Sequence, residues 1–333
     1  MTKIAKSQIN KNISQQIQKI LDGDVRTIAR AITQVENSVG EDVRPLLKEL
    51  FSQTGHAFVI GVTGSPGTGK STLVDQLAHH YTDSGMKVGI ILVDPSSPFS
   101  GGAILGDRIR MQSLSTNPRI FIRSMATRGK LGGLTIAVDE ALMILDVGGY
   151  EILIVETVGV GQDEVDVINT ADVTLVTLVP GMGDHVQTLK AGIMEIGDIY
   201  VVNKSDLKGA LEVEGQLTEL LHGEIGRKDE WTPTVVKTVA TQGKGISELA
   251  ESIQCYRIFL RGSEHNEGRQ KYLFQKRLMD LLHRRVTDIV LGRISNDVLD
   301  EYVEQMMTRE LDPHTIVDQL LRDLDLCEEE SNG

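Results

Sequence analysis

Eight residues, Gly64-Ser65-Pro66-Gly67-Thr68-Gly69-Lys70-Ser71, have the types and spacing to hold a phosphate chain. They fit G-x-x-x-x-G-K-[ST], a phosphate-binding loop that needs a strand before it and a helix after it. The glycines let successive backbone N–H groups point at one phosphate, and the start of the helix adds partial positive charge. Lys70 then reaches the β and γ oxygens, the Ser71 hydroxyl ligates Mg2+, and Thr72 completes the cradle. A second group, Asn203-Lys204-Ser205-Asp206, is suited to a base. In an Asn-Lys-x-Asp sequence the carboxylate accepts hydrogen bonds from guanine N1–H and the 2-amino group. Adenine offers no such pair of donors, and a buried carboxylate left unpaired costs about 1–3 kcal/mol. Asp206 therefore selects GTP and GDP, and the Val239-Ala240 backbone amides are expected to close the base pocket.

Metal and switch chemistry falls to acidic groups on loops. A strand over 87–93 ends at Asp94, expected beside the phosphate-loop strand in a doubly wound sheet, and Asp107 follows in the Gly-rich run 100–108. A further apolar run, Ile152-Leu153-Ile154-Val155, ends in Glu156 where nucleotide hydrolases commonly carry Asp, with Gly159 three residues on. With Asp94 and Asp107 also near the metal, Glu156 need not supply the only carboxylate. Being longer by one methylene, it is expected to act from further away or through water. The Gly159 N–H meets the γ-phosphate.

These groups need a frame. From about 56 to 260, short β-rich runs alternate with helical stretches, with strands expected at 57–62, 87–93, 119–122, 151–155, 172–179, 198–202 and 234–239. That alternation specifies βαβ units: an α/β fold with a mostly parallel, doubly wound sheet and helices on both faces. Before it, residues 14–53 read as helical. Ile28, Ile32 and Val35 form one stripe behind an Asp24 N-cap, and Leu46, Leu47, Leu50 and Phe51 form a second. After it, the polar run 261–269 reads as a linker. Beyond that, Phe274, Leu278, Leu281, Leu282 and Ile289 share a helical face, and a last helix starts at Asp312-Pro313. Three parts follow: an N-terminal helical segment over 1–55, a GTPase domain over 56–262, and a helical arm over 263–333. The arm's apolar stripe is surplus to a domain with its own core, and such surplus usually meets a partner.

Bulk composition narrows the field. With 34 basic and 47 acidic residues, the net charge of −13 disfavours nucleic acid and anionic membrane as partners. Two distant cysteines fit a reducing compartment rather than a disulfide framework or a cysteine zinc site. The first twenty residues show no secretory or transit pattern, and no apolar run nears the ~18 residues of a membrane span. A cytoplasmic protein is expected.

The set Gly64–Ser71, Val93-Asp94-Pro95-Ser96-Ser97, Gly106-Asp107-Arg108, Arg123–Gly129, Glu156–Gln162 and Asn203–Asp206 resembles the MeaB/MMAA family. These are the G-protein chaperones of adenosylcobalamin-dependent acyl-CoA mutases, chiefly methylmalonyl-CoA mutase, once labelled ArgK transport kinases. The likeness covers essentially the whole chain, and Glu156-Thr157-Val158-Gly159-Val160-Gly161-Gln162 is its most specific part, matching the family's second switch. It implies a Mg2+-dependent GTPase that gates adenosylcobalamin loading and protects or reactivates the mutase. It also implies a homodimer built through the arm, an adenosyltransferase as a further partner, and a third switch over Pro180–Lys190, in which Gly181 and Gly183 would be hinges and Lys190 would bring positive charge to the γ-phosphate when a partner docks, as an arginine finger does. There His185 departs from the expected acidic residue. Three alternatives stay open: a nickel-type metallochaperone GTPase, an ATP-dependent kinase, and a scaffold that binds nucleotide without hydrolysing it. Against the first, the eight histidines are scattered. Against the second stands Asn203–Asp206.

Overall fold

In the computed structural model the described residues are 3–37, 43–94, 114, 116–126, 133–157, 170–181, 197–223, 231–262 and 264–324. The chain divides into two compact units, Met1–Gln275 and Lys276–Gly333.

The first unit is built on seven strands, all at the expected places: β1 (Phe58–Thr63), β2 (Val88–Asp94), β3 (Ile120–Ala126), β4 (Ile152–Thr157), β5 (Val173–Leu178), β6 (Ile199–Val202) and β7 (Thr234–Lys237). They stand in the order β3-β2-β4-β1-β5-β6-β7, and every neighbouring pair is parallel. β4 and β5 are buried at every position, which is why they read as unbroken apolar runs rather than as alternation.

Side chains alternate across the sheet. Ile152 and Ile154 of β4 share a core with Ile60, Val62, Leu73 and Leu77, beneath α4 (Lys70–Asp83) and α7 (Ile246–Gly262). Leu153 and Val155 belong to the opposite core, closed by α1 (Lys3–Leu21), α2 (Val25–Asn37), α3 (Arg44–Phe51) and α5 (Gly133–Val147). A smaller cluster joins β5 and β6 to α6 (Ala210–Gly223). The N-terminal helices thus share a core with the sheet.

Asp24 caps α2 as read, accepting from the Thr27 N–H at 2.8 Å and the Thr27 hydroxyl at 2.5 Å. Those bonds hold its carboxyl below the usual aspartate value. The second N-terminal stripe is narrower than expected: Leu46 and Leu50 are buried, Leu47 is half-buried, and Phe51 is exposed. Positions 46 and 50, one turn apart, face the core; 47 and 51 lie about 100° further round.

The expected neighbourhood of Asp94 needs correction. β2 is not beside the phosphate-loop strand β1, because β4 stands between them, pairing Val155 with Gly61 on one side and with Ile91 on the other. A strand buried on both faces, such as β4, satisfies its backbone best with a partner on each edge.

The division between the units falls inside α8 (Glu264–Leu291). The run 261–269, expected as a linker, is therefore largely helical, belonging to the end of α7 and the start of α8. Its Glu, Asn, His and Arg side chains are polar, but it contains no proline to stop a helix. The second unit also contains α9 (Asn296–Met307), capped by Ser295, and α10 (Pro313–Asp323). Asp312 caps α10 as read, accepting from the His314 and Thr315 N–H groups at 2.9 and 3.2 Å. No described helix is long and apolar enough to cross a membrane.

Candidate functional site

The carboxyl ends of parallel strands share one edge, and in open α/β sheets that edge is where ligand crevices form. Here the phosphate loop leaves β1 and enters α4 at Lys70. Gly64 has φ 142° and Gly69 has φ 91°. A Cβ at Gly64 would run into the Thr177 carbonyl of β5, and one at Gly69 into the Asn203 carboxamide. The loop is pressed between β5 and the base loop, and only glycine fits at both of its ends.

Thr68 folds this loop on itself. It is 1% exposed, and its N–H (3.3 Å) and hydroxyl (2.9 Å) both donate to the Ser65 carbonyl. Lys70 is buried, and its Nζ donates to the carbonyls of Gly64 at 2.7 Å and Ser65 at 3.2 Å. The lysine expected on the phosphate oxygens is thus held against the loop's own backbone.

Glu156 is buried at the end of β4, on the α4 side of the sheet by the same alternation that buries Ile152 and Ile154 there. Its Oε1 accepts from the Ser71 hydroxyl at 2.6 Å. Expected to act at the metal from further away or through water, Glu156 touches the Ser71 hydroxyl directly. The added methylene carries the group across to the first turn of α4, where the helix N-terminus favours negative charge. With its proton committed to Glu156, the Ser71 oxygen keeps lone pairs for a cation. Two hard oxygen donors in this place would suit Mg2+.

The base loop is fastened to the phosphate loop by Asn203. This residue is 2% exposed, and its Nδ2 donates to the Thr68 carbonyl at 2.8 Å. Its Oδ1 accepts from the Thr238 hydroxyl at 3.0 Å and the Ala240 N–H at 3.1 Å. Lys204 adopts a left-handed conformation, φ 53°, which costs a non-glycine residue roughly 1–2 kcal/mol. Its Nζ donates to the Gly67 carbonyl at 2.9 Å. Asp206 is exposed, so a bound base would itself have to desolvate this carboxylate.

The Val239 and Ala240 amides, expected to face the base, already donate within the chain, to the Lys244 carbonyl at 3.0 Å and to Asn203. Thr238 escaped the sequence reading. Its only signal is its place, directly before Val239-Ala240 at the end of a strand.

Asp94 closes β2 with its backbone paired to Ala126. Asp107, Gly159, His185 and Lys190 lie outside the described residues, as does most of the expected third switch. The structure therefore brings together Gly64–Ser71, Glu156, Asn203, Lys204, Thr238 and Ala240.

Among known proteins, the chain matches the family described as methylmalonyl Co-A mutase-associated GTPase MeaB over residues 28–296. A Pyrococcus abyssi protein assigned as a GTPase is 44% identical over 318 residues, covering 94% of this chain and 97% of the relative. GTPase ArgK of Escherichia coli is 33% identical over 319 residues, covering 92% and 95%. The crystal structure of LAO/AO transport system kinase is similar at 27% identity with a TM-score of 0.69, covering 95% of this chain and 98% of that one.

Proposed function

Because the chain belongs to the MeaB family of methylmalonyl-CoA mutase-associated GTPases and is itself a GTPase, we propose that it spends GTP to gate adenosylcobalamin loading into an acyl-CoA mutase, and to protect or reactivate that mutase. Methylmalonyl-CoA mutase is the partner the family relation favours, with an adenosyltransferase as a second. The observation that carries the guanine reading is the Asn203 carboxamide, which joins an Asn-Lys-x-Asp loop to a phosphate loop in one buried network. This pairing favours GTP over the ATP that a kinase would use. The protein works in the cytoplasm, as a homodimer.

In the proposed mechanism the residues position and stabilise, with little covalent work of their own. Backbone N–H groups of 64–69 cradle the phosphates, and Lys70 swings from the Gly64 and Ser65 carbonyls toward the β and γ oxygens. Ser71, Glu156, Asp94 and Asp107 would hold Mg2+, which neutralises charge developing on the phosphoryl oxygens. Asp206 reads guanine, and the Gly159 N–H and Lys190 attend the γ-phosphate.

The test is GTP turnover with and without the mutase, paired with capture of the mutase in each nucleotide state. Lys190→Ala should leave intrinsic hydrolysis near its wild-type rate and remove most of the mutase-stimulated increment. An unchanged stimulation factor would reduce the third switch to a connector. Capture of the mutase by a chain that does not turn over GTP favours the scaffold reading instead.

A further inference from the structure

Glu156 and Thr157 end β4 and, being consecutive in a strand, point to opposite faces of the sheet. Glu156 reaches α4, where it accepts from the Ser71 hydroxyl at 2.6 Å. Thr157 continues the other row, after Leu153 and Val155, and its hydroxyl donates to the Thr63 hydroxyl at 3.2 Å. Thr63 is the last residue of β1, directly before Gly64. The tip of β4 is thus fastened to both ends of the phosphate loop, at the residue before Gly64 and at the residue after Lys70.

The Thr63–Thr157 bond stands where the sheet opens. The backbone pairing of β1 with β4 ends at Val62 and Glu156. Beyond that point each strand keeps its outer neighbour, Thr63 beside Val176 of β5 and Thr157 beside Val93 of β2. Both threonines are buried, at 3% and 0% exposure, at the end of an apolar layer that holds Val93, Leu153 and Val155. Valine has the same shape and would pack there with no hydroxyl to desolvate, a cost that only a hydrogen bond offsets. Packing alone does not account for two hydroxyls in this place.

We propose that Thr157 is a positioning residue for the γ-phosphate: its bond to Thr63 sets the direction in which the chain leaves β4 relative to the phosphate loop. The proposal rests on the reading of the Gly159 N–H as a γ-phosphate donor. A nucleoside diphosphate needs only the phosphate loop and the base loop. A triphosphate also needs a donor carried by the chain beyond Thr157, at a fixed offset from the loop that holds the β-phosphate. Thr157 touches no phosphate itself; it fixes the start of the segment that does.

Thr157→Val removes the hydroxyl and keeps both the shape and the preference for a strand. In the full-length chain it should weaken binding of the β,γ-imido analogue of GTP about fivefold, the loss of roughly one neutral hydrogen bond, while GDP binds within about twofold of wild type. Thr157→Ser should restore analogue binding. Thr63→Val removes the same bond from the β1 side and should show the same selective loss, so it carries the test if Thr157→Val fails to fold. In the double variant the loss should stay close to that of either single variant, well short of their product, since both remove one contact. Equal weakening of analogue and GDP would make the pair a structural prop. Unchanged analogue binding, failed rescue by serine or fully multiplicative losses would likewise overturn the proposal. Gly159→Ala with unaltered GTP turnover would instead overturn the γ-phosphate reading beneath it.

Discussion

The Ser71 hydroxyl and the Glu156 carboxylate meet at 2.6 Å across the gap between β4 and α4, and their chemistry differs from that of either residue alone. Charge on Glu156 orients the serine proton and adds to the negative field a cation would feel. Glu156→Gln keeps an acceptor but removes the charge. A hydrogen bond to a charged group is worth about 1.5–3 kcal/mol, so the Mg2+ concentration for half-maximal GTPase activity should rise about ten- to a hundredfold. A Mg2+ titration of turnover measures this, and an unmoved midpoint would release Glu156 from the metal. For base choice, Asp206→Asn should shift preference from guanine to xanthine nucleotides, whose 2-oxo group accepts where guanine donates. Competition binding with GDP, XDP and ADP reads the switch directly. Equal GTP and ATP affinities in the unaltered chain would remove Asp206 from recognition. At this scale the sequence was half legible. Residue types and spacing announced Gly64–Ser71 and Asn203–Asp206, because their chemistry is local. The Ser71–Glu156 contact and the hydrogen bonds that join Thr238, Asn203 and Thr68 depend on which strands lie side by side, which spacing does not encode.

The helix that begins with Lys70 ends in the core, and its stability is linked to pH through Tyr81. Burial against the sheet pushes the Tyr81 phenol up to about 12, with the nearby Arg257 charge pulling the other way. A raised value means that folding favours the neutral phenol. The stabilisation is full below the unfolded value near 10 and is lost as pH rises through about 12. Thermal melts should show an alkaline decline in that window that Tyr81→Phe flattens; an identical decline in the variant assigns the loss elsewhere. Element identity was the most legible level. Seven strands appear where β-rich runs met turn residues, and Asp24 and Asp312 cap the helices they precede, since capping is decided within three residues. Two element-level expectations failed for lack of local cause. Strand order is a property of the assembled sheet, so the place of β4 between β1 and β2 could not be read from either strand. The polar run 261–269 resembled a linker in composition, but composition does not separate a solvated helix from a loop.

Across the whole molecule, apolar surface and core closure raise separate questions. In the second unit Leu278 is 65% exposed, Leu282 51% and Met307 79%. Monomeric proteins rarely leave contiguous apolar patches larger than a few hundred Å2, and a second copy of the chain is the proposed cover. Light scattering should give twice the chain mass, and Leu278→Asp with Leu282→Asp should halve it without changing the far-ultraviolet circular dichroism. A monomeric wild type would end the proposal. The core of the first unit closes differently. Phe58 and Ile60 of β1 share one cluster with Tyr256 and Leu260 of α7, near the far end of that unit. The strand that launches the phosphate loop is therefore made early in synthesis, while the helix that covers it is the last element of that core to emerge. Contacts so distant in sequence form slowly and leave apolar surface uncovered in the meantime. A nascent chain still tethered to the ribosome short of Leu260 would carry a complete phosphate-loop sequence on an open core, so the ability to grip a nucleotide should arrive abruptly with α7 rather than accumulate with each strand.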